Sequence, residues 1–315
     1  MKLFRKLDSF PAELRGGALA IGNFDGVHLG HQRIIGRLKE HASRLKSVAI
    51  VFTFDPHPAR ILRPDQSPPP LTWIDRKADL LADLGVDAVV AYPTDLALLG
   101  LGYRDFFQEI VLNRIGARAI VEGPNFFFGH NREGNTERLR ELCDQQQIEM
   151  EIVAPSLDGE ELVSSSRIRQ LVAAGDVRAA RMLLTQPYRI RGLVVHGAAR
   201  GMQLGFPTAN LDAIDMLVPA FGVYAGRVLI ERRWHWTAIH IGPNSTFKEE
   251  IPKVEIHILD YEGSLYGQIL EVDFVERLRD TCSYPSVADL LAQLNIDVEQ
   301  TRGISREFLL SATKS

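Results

Sequence analysis

Apolar and polar positions follow two regimes along this chain. In the first, short apolar or β-branched runs at 18–22, 48–54, 88–91, 119–122 and 150–153 alternate with stretches of helical periodicity at 32–45, 76–84, 103–115 and 136–147. Near-continuous apolar strands joined by helical crossovers predict a parallel sheet covered on both faces. Ligands of such sheets bind beyond the carboxyl ends of the strands. Residues 63–70 interrupt the pattern with Pro64, Pro68, Pro69 and Pro70, which excludes helix and central strand there. A surface loop is expected, with a lid as the alternative, because the segment follows a strand end carrying Asp55 and His57.

Two amphipathic helices, 165–174 and 177–184, close this half, and the pattern changes at Tyr188. Strand-like runs at 188–195, 222–230, 234–241, 254–259 and 269–274 follow, separated by turn signals such as Glu262-Gly263, with no helices between them. That predicts a small antiparallel barrel, after which 286–300 reads as a terminal helix. The boundary falls at Gln186-Pro187, giving expected domains 1–186 and 187–315.

Composition narrows the class. A chain of 315 residues is long for one compact domain and fits two. With 36 Lys and Arg against 40 Asp and Glu, it carries no basic footprint, which argues against a nucleic-acid partner. The two cysteines, Cys143 and Cys282, are far apart and form no CxxC, which speaks against a disulfide framework or a structural zinc site. Residues 1–7 lack the apolar core of a signal peptide, and no apolar run approaches a membrane span, so a cytoplasmic address is expected.

The densest chemical signal is GNFDGVHLGH at 22–31, where the first strand gives way to the first helix. Glycines let the backbone turn sharply, and the free N–H groups of a helix start make a phosphate site. His28 and His31 can aim two imidazoles at one anion and stabilise charge that develops in phosphoryl or nucleotidyl transfer. A lone histidine there would be a cap or a surface residue. Metal ligation is a third reading, for which only Asp25 supplies a nearby carboxylate.

His28-Leu29-Gly30-His31 resembles the HxGH signature of the nucleotidylyltransferases, and the longer string resembles the prokaryotic bifunctional riboflavin kinase/FMN adenylyltransferases, or FAD synthetases. FDPHP at 54–58, GPNFFFG at 123–129 and SSSRIR at 164–169 match that family in order, with Ser166 where threonine is usual. The resemblance implies a Rossmann-like domain in which the FMN phosphate attacks the α-phosphorus of ATP and pyrophosphate leaves. His28 and His31 would stabilise the added charge, with Gly30 in the turn between them. Ser164, Ser165 and Arg167 would hold the β- and γ-phosphates, and Asn23, Asp55 and Asn125 would contact nucleotide or flavin. A serine cluster at a helix start suits a polyphosphate, although alone it reads as an ordinary N-cap.

The second constellation is GLVVHGAARGMQLGFPTANL at 192–211. Its glycines make a flexible loop without the Walker A lysine, and Pro207–Asn210 forms an extended turn offering a hydroxyl and a carboxamide oxygen to a hard cation. RGMQLGFPTANL is similar to the riboflavin kinase motif, and PAFGVYA at 219–225, VEIHILD at 254–260 and LYG at 265–267 match further segments. This implies a kinase-like barrel in which Glu255 is the general base toward the riboflavin 5′-hydroxyl. Gly201, Gly205, Thr208 and Asn210 would contact nucleotide phosphate, and Thr208 and Asn210 would bind Mg2+. The chain departs from the family at His240, where asparagine is usual, at Ser245, where proline is, and at Met202, where a basic residue is common. ATP, riboflavin, FMN and FAD are thus the expected small-molecule partners. The alternatives are a nucleotidylyltransferase acting on another phosphorylated acceptor, such as pantetheine phosphate, and a flavin-sensing module with a decayed site.

Overall fold

The computed structural model describes residues 1–197, 200–243 and 251–312, and the substituted position Ser245 lies outside them. Two compact units result, one of 1–68 with 72–165 and one of 69–71 with 166–315. The first contains strands β1 (Lys2–Phe4), β2 (Ala18–Ile21), β3 (Ala49–Asp55), β4 (Ala88–Pro93), β5 (Ala119–Glu122) and β6 (Glu149–Ile152), besides a short hairpin of β7 (Leu157–Asp158) and β8 (Glu161–Leu162). Its helices are α1 (Leu29–Arg44), α2 (Pro58–Leu62), α3 (Ile74–Asp83), α4 (Leu96–Leu99), α5 (Tyr103–Phe106) and α6 (Thr136–Gln145).

The six strands pair in parallel in the order β1-β4-β3-β2-β5-β6. From β2 the chain winds outward to β3 and β4 on one side, then to β5 and β6 on the other. The crevice between the carboxyl ends of β2 and β5 is therefore the switch point where such sheets take ligands. Alternation sorts the side chains: Leu19, Ile50 and Ile120 pack on one face with Phe106, Phe107 and Ile110. Ala18, Val51 and Val121 pack on the other, with Ile35 and Leu38 of α1 and Leu80 and Leu81 of α3.

Three expectations for this unit need adjustment. The edge strand β1 was not foreseen, because three residues that mix Lys2 with Leu3 and Phe4 are too short to show a strand pattern. The stretch 103–115 is α-helical only over Tyr103–Phe106 and continues as a π-helix, Phe107–Ile115, closed by left-handed Gly116. The proline segment contains one 3₁₀ turn, Pro64–Gln66, contrary to an irregular loop throughout. Pro64 occupies its first position, where a missing N–H costs nothing.

The second unit takes up α7 (Ser165–Ala173) from Ser166 on and continues with α8 (Val177–Leu183), β9 (Tyr188–Val195), α9 (Arg200–Gln203), β10 (Ala209–Asp212), β11 (Gly222–Ile230), β12 (Arg233–Gly242), β13 (Lys253–Ile258), β14 (Ile269–Arg279) and α10 (Val287–Ala312). The six strands close an antiparallel barrel in the order β10-β13-β12-β11-β14-β9. Strict alternation sets its walls: on β13, Val254, Ile256 and Ile258 are buried, whereas Lys253, Glu255 and His257 face the partly covered side. The expected turn at Pro207–Asn210 is in part strand β10, which completes the barrel between β9 and β13. The glycine-rich loop holds the short helix α9, where no helix was expected. Strand β14 runs on to Arg279 because its charged residues find partners, Glu276 with Arg178 and Arg279 with Asp297.

Candidate active sites

The first centre is built where β2 ends and α1 begins. His28 caps α1: the His31 N–H donates to His28 Nδ1 at 3.4 Å, and the His28 N–H donates back to His31 Nδ1 at 3.3 Å. The two rings stack with centroids 3.6 Å apart and planes 18° from parallel. Since each Nδ1 accepts from backbone, each ring proton sits on Nε2, and both remaining donors are free of the cap. Gly30 permits this stack, because a Cβ there would lie 3.0 Å from the His28 ring.

Burial makes the pair neutral. The His28 pKa is pushed down to about 4 by desolvation, which the Asp25 carboxylate only partly opposes. His31 lies well below the usual imidazole range through burial, with His28 and Lys77 adding to the shift. Asp25 is itself buried and accepts from the Thr72 N–H and Thr72 Oγ1, each at 3.1 Å. Asn23, in the same turn, keeps a buried Oδ1 without a hydrogen-bond partner among the described residues, while its carbonyl accepts from Thr53 Oγ1 at 3.1 Å.

The serine cluster joins this turn across the fold. Ser165 Oγ donates to the Asp25 carbonyl at 2.8 Å, and the Val163 carbonyl lies 3.5 Å from where a Gly30 Cβ would sit. Ser164 is half-buried beside Ser165. Arg167 lies on α7 in the portion of chain that groups with the second unit. Asp55 ends β3, 3.7 Å from Arg5 Nη1, while His57 caps α2 by accepting from the Ala59 N–H at 3.0 Å. Asn125 is exposed in the turn after β5, and no hydrogen bond or ion pair ties it to the histidines among the described residues.

Two buried residues here escaped sequence reasoning. Glu122, at the end of β5, accepts from the Ile21 N–H at 2.6 Å, and burial raises its pKa well above the carboxylate range against the effect of that bond. Lys77 on α3 is buried with its ammonium 3.4 Å from Thr53 Oγ1. Its signal was present in the sequence, since a lysine three and four residues before Leu80 and Leu81 shares their apolar stripe.

The second centre follows from barrel register. Asn210 on β10 lies directly opposite Glu255 on β13, which lies opposite His240 on β12. The row continues through Val223 to Arg279 on β14. All five line one cavity of about 160 Å³ with Thr208 and Gly201, roofed by Leu290, Leu294 and Asp297 of α10. Asn210 approaches so closely that a Cβ on Gly197 would meet its side chain at 2.3 Å. Gly205 takes the left-handed φ of +82° that closes the turn after α9.

Neighbouring groups hold this row in place. His257 Nδ1 pairs with the Pro207 carbonyl at 2.9 Å, fixing the residue before Thr208. Arg279 grips Asp297 with two bonds of 2.8 and 2.6 Å, which fastens α10 over the cavity. His240 Nδ1 is buried without a hydrogen-bond partner among the described residues, 3.8 Å from Glu255 Oε2. Desolvation lowers the His240 pKa, with Glu255 opposing. Sequence reasoning missed Arg279 and Asp297, which stood in no motif, and His257, which stood in VEIHILD beside Glu255 without a role of its own.

Two family models match the chain, one in each half. The family model for FAD synthetase matches residues 10–167, and that for riboflavin kinase matches 184–305. The bifunctional riboflavin kinase/FMN adenylyltransferase of Pseudomonas fluorescens is 35% identical, covering 97% of this chain and 98% of its own. That of Escherichia coli K12 is 31% identical over 94% and 96%. A crystal structure from Streptococcus pneumoniae, named there a macrolide-efflux protein, superposes with a TM-score of 0.85 at 31% identity over 96% of this chain and 98% of that one. Among the described residues no helix is long and apolar enough to cross a membrane. With both family models matched in order and relatives aligned almost end to end, this chain belongs to the bifunctional riboflavin kinase/FMN adenylyltransferase family.

Proposed function

We propose that this chain makes FAD in two ATP-dependent steps, with 187–315 phosphorylating riboflavin to FMN and 1–186 transferring adenylyl from ATP to FMN. The observation that carries this is the presence of two chemically different polar centres, stacked neutral imidazoles in one unit and a carboxylate–carboxamide row in the other. In the kinase step Glu255 accepts the proton of the riboflavin 5′-hydroxyl as it attacks the γ-phosphate. Gly201, Gly205, Thr208 and Asn210 hold the nucleotide phosphates, and the roof from α10 keeps water out.

The donors beside Glu255 suit Mg2+. Thr208 and Asn210 offer neutral hard oxygens, and among the described residues no cluster of three His, Cys, Asp or Glu forms a dedicated metal cage. Such a set matches an ion that keeps waters and phosphate oxygens as its remaining ligands. Bound there, Mg2+ would neutralise phosphate charge.

In the adenylyl step, the Nε2–H donors of His28 and His31 face the phosphate charge, and Ser164, Ser165 and Arg167 hold the outer phosphates. Asn23, Asp55 and Asn125 contact nucleotide or flavin. Both steps consume ATP, which fits a cytoplasmic place of action. The test is incubation with riboflavin, ATP and Mg2+ followed by chromatography. FAD is expected; FMN without FAD, or no product, contradicts the reading.

A further inference from the structure

The imidazole pair leaves an electrostatic problem. Nucleotidyl transfer brings an ionised acceptor phosphate against a polyphosphate, yet both rings are neutral at physiological pH. Neutral donors stabilise charge less than a cation does. Arg167 is proposed for the outer phosphates, so a cation close to the transferring α-phosphoryl group itself would strengthen the site.

Lys77 is the candidate. It reaches inward from α3 and is buried, only 7% exposed. Among the described residues its ammonium makes one side-chain hydrogen bond, the 3.4 Å contact to Thr53 Oγ1, although it has three donors. Thr53 Oγ1 donates to the Asn23 carbonyl, so the ammonium sits beneath the GNFDG turn that presents the histidines. Asn23 Oδ1 there is a buried polar atom without a hydrogen-bond partner among the described residues. A purely structural buried lysine would be saturated by carboxylates or carbonyls. This one is under-coordinated beside a ligand-binding turn.

We infer that Lys77 is a catalytic cation of adenylyl transfer, donating to a non-bridging oxygen of the ATP α-phosphoryl group as it passes to FMN. This rests on the adenylyltransferase reading above. In the step, an ionised oxygen of the FMN phosphate forms a new bond to the α-phosphorus. The bond from that phosphorus to the bridging oxygen breaks, and its electron pair leaves on pyrophosphate. No proton is removed, and Lys77 keeps its own throughout. Burial lowers the Lys77 pKa from its ordinary value against the pull of Asp25 and Asp55, and an arriving phosphate reverses that cost.

The test uses the full chain and its two activities in one preparation. Wild-type FAD formation from FMN decides whether the first site is an adenylyltransferase at all; the ratio of variant to wild type decides the role of Lys77. Lys77→Gln keeps a donor for Thr53 but removes the charge. It should lower kcat for FAD formation by about 10²–10³-fold, as loss of one oxyanion donor does, with KM for FMN nearly unchanged and riboflavin phosphorylation intact. Lys77→Arg, which restores the charge, should recover at least about tenfold over Lys77→Gln. Should Lys77→Gln fail to fold, Lys77→Met and Lys77→Arg carry the same comparison. Variants that unfold at the wild-type denaturant concentration yet form FAD within about fivefold of wild type would overturn the assignment. So would equal losses in the Gln and Arg variants that track lost folding.

Discussion

Replacing His28 with asparagine removes one titrating group from the first unit while keeping a side-chain acceptor for the His31 N–H. The consequence for acid stability can be worked out. In the folded chain burial holds the His28 pKa at about 4, against 6.5 in an unstructured peptide. Above pH 6.5 both states carry a neutral ring, and stability is at its full value. Between those two values the unfolded chain binds a proton that the folded chain does not, so stability falls as pH falls. The loss ends once the folded ring also protonates, near pH 4. The interval, 6.5 minus 4, is about 2.5 units, which at 1.36 kcal/mol per unit is about 3 kcal/mol. Most of it, about 2.5 kcal/mol, is lost by pH 4.5. His31 is lowered in the same direction and adds to the wild-type slope. Urea unfolding at pH 7.5 and 4.5, followed by Trp73 fluorescence in a Trp234→Phe, Trp236→Phe background, reports on the unit that contains the histidines. The His28→Asn variant should lose about 2.5 kcal/mol less than its parent over that range. Equal losses would mean that His28 is not held neutral by burial, and the argument for uncharged donors would fail with it.

The two centres should separate genetically. His28→Ala is expected to abolish FAD formation from FMN with riboflavin phosphorylation retained, and Glu255→Gln to lower the kinase rate by about 10²–10⁴-fold with FAD formation retained; parallel losses in chromatographic assays would refute independent sites. His240→Asn replaces a buried imidazole beside Glu255 with the amide usual in the family. It should keep the kinase rate within about tenfold while changing the acid limb of its pH–rate profile; an unchanged limb would show that His240 does not couple to Glu255. Asp297→Ala leaves the Arg279 guanidinium unpaired under α10 and should cost the second unit about 3–5 kcal/mol in denaturant unfolding, with kinase activity lost before FAD formation.

Local chemistry was legible in the sequence wherever it was also local in space. The five expected strands of the first sheet fall within two residues of the expected runs; four are largely buried and apolar, as strands covered on both faces are, and β6 is a partly exposed edge. His28 and His31 share one helix start, so their spacing placed the two imidazoles together, although their stacking and mutual capping were not foreseen. What escaped depends on distance along the chain. The pairing of Asn210 with Glu255 is a matter of barrel register, and the first of them was read as a turn residue because Pro207 precedes it. Strand β14 outran its expected end because charges that find partners elsewhere look like solvent-facing positions. Lys77 was overlooked because a lysine on an apolar stripe reads as a snorkelling surface residue until its surroundings are known.

The contrast between the centres is the one that their acceptors demand. A flavin phosphate reaches the first centre already ionised, so a base there would have nothing to remove, and its negative charge would oppose the attack. The Asp25 carboxylate is accordingly turned aside, occupied by Thr72, and the histidines present N–H groups. A riboflavin hydroxyl reaches the second centre with its proton, which must go somewhere as the oxygen attacks. There the chain places Glu255 in the middle of a cross-strand row, between the Asn210 carboxamide and the His240 ring. On the proposed roles, Glu255 serves the transfer that needs a base, and the first centre supplies donors to a transfer that needs none. On those roles, the difference between the two centres follows from the ionisation of the attacking oxygen.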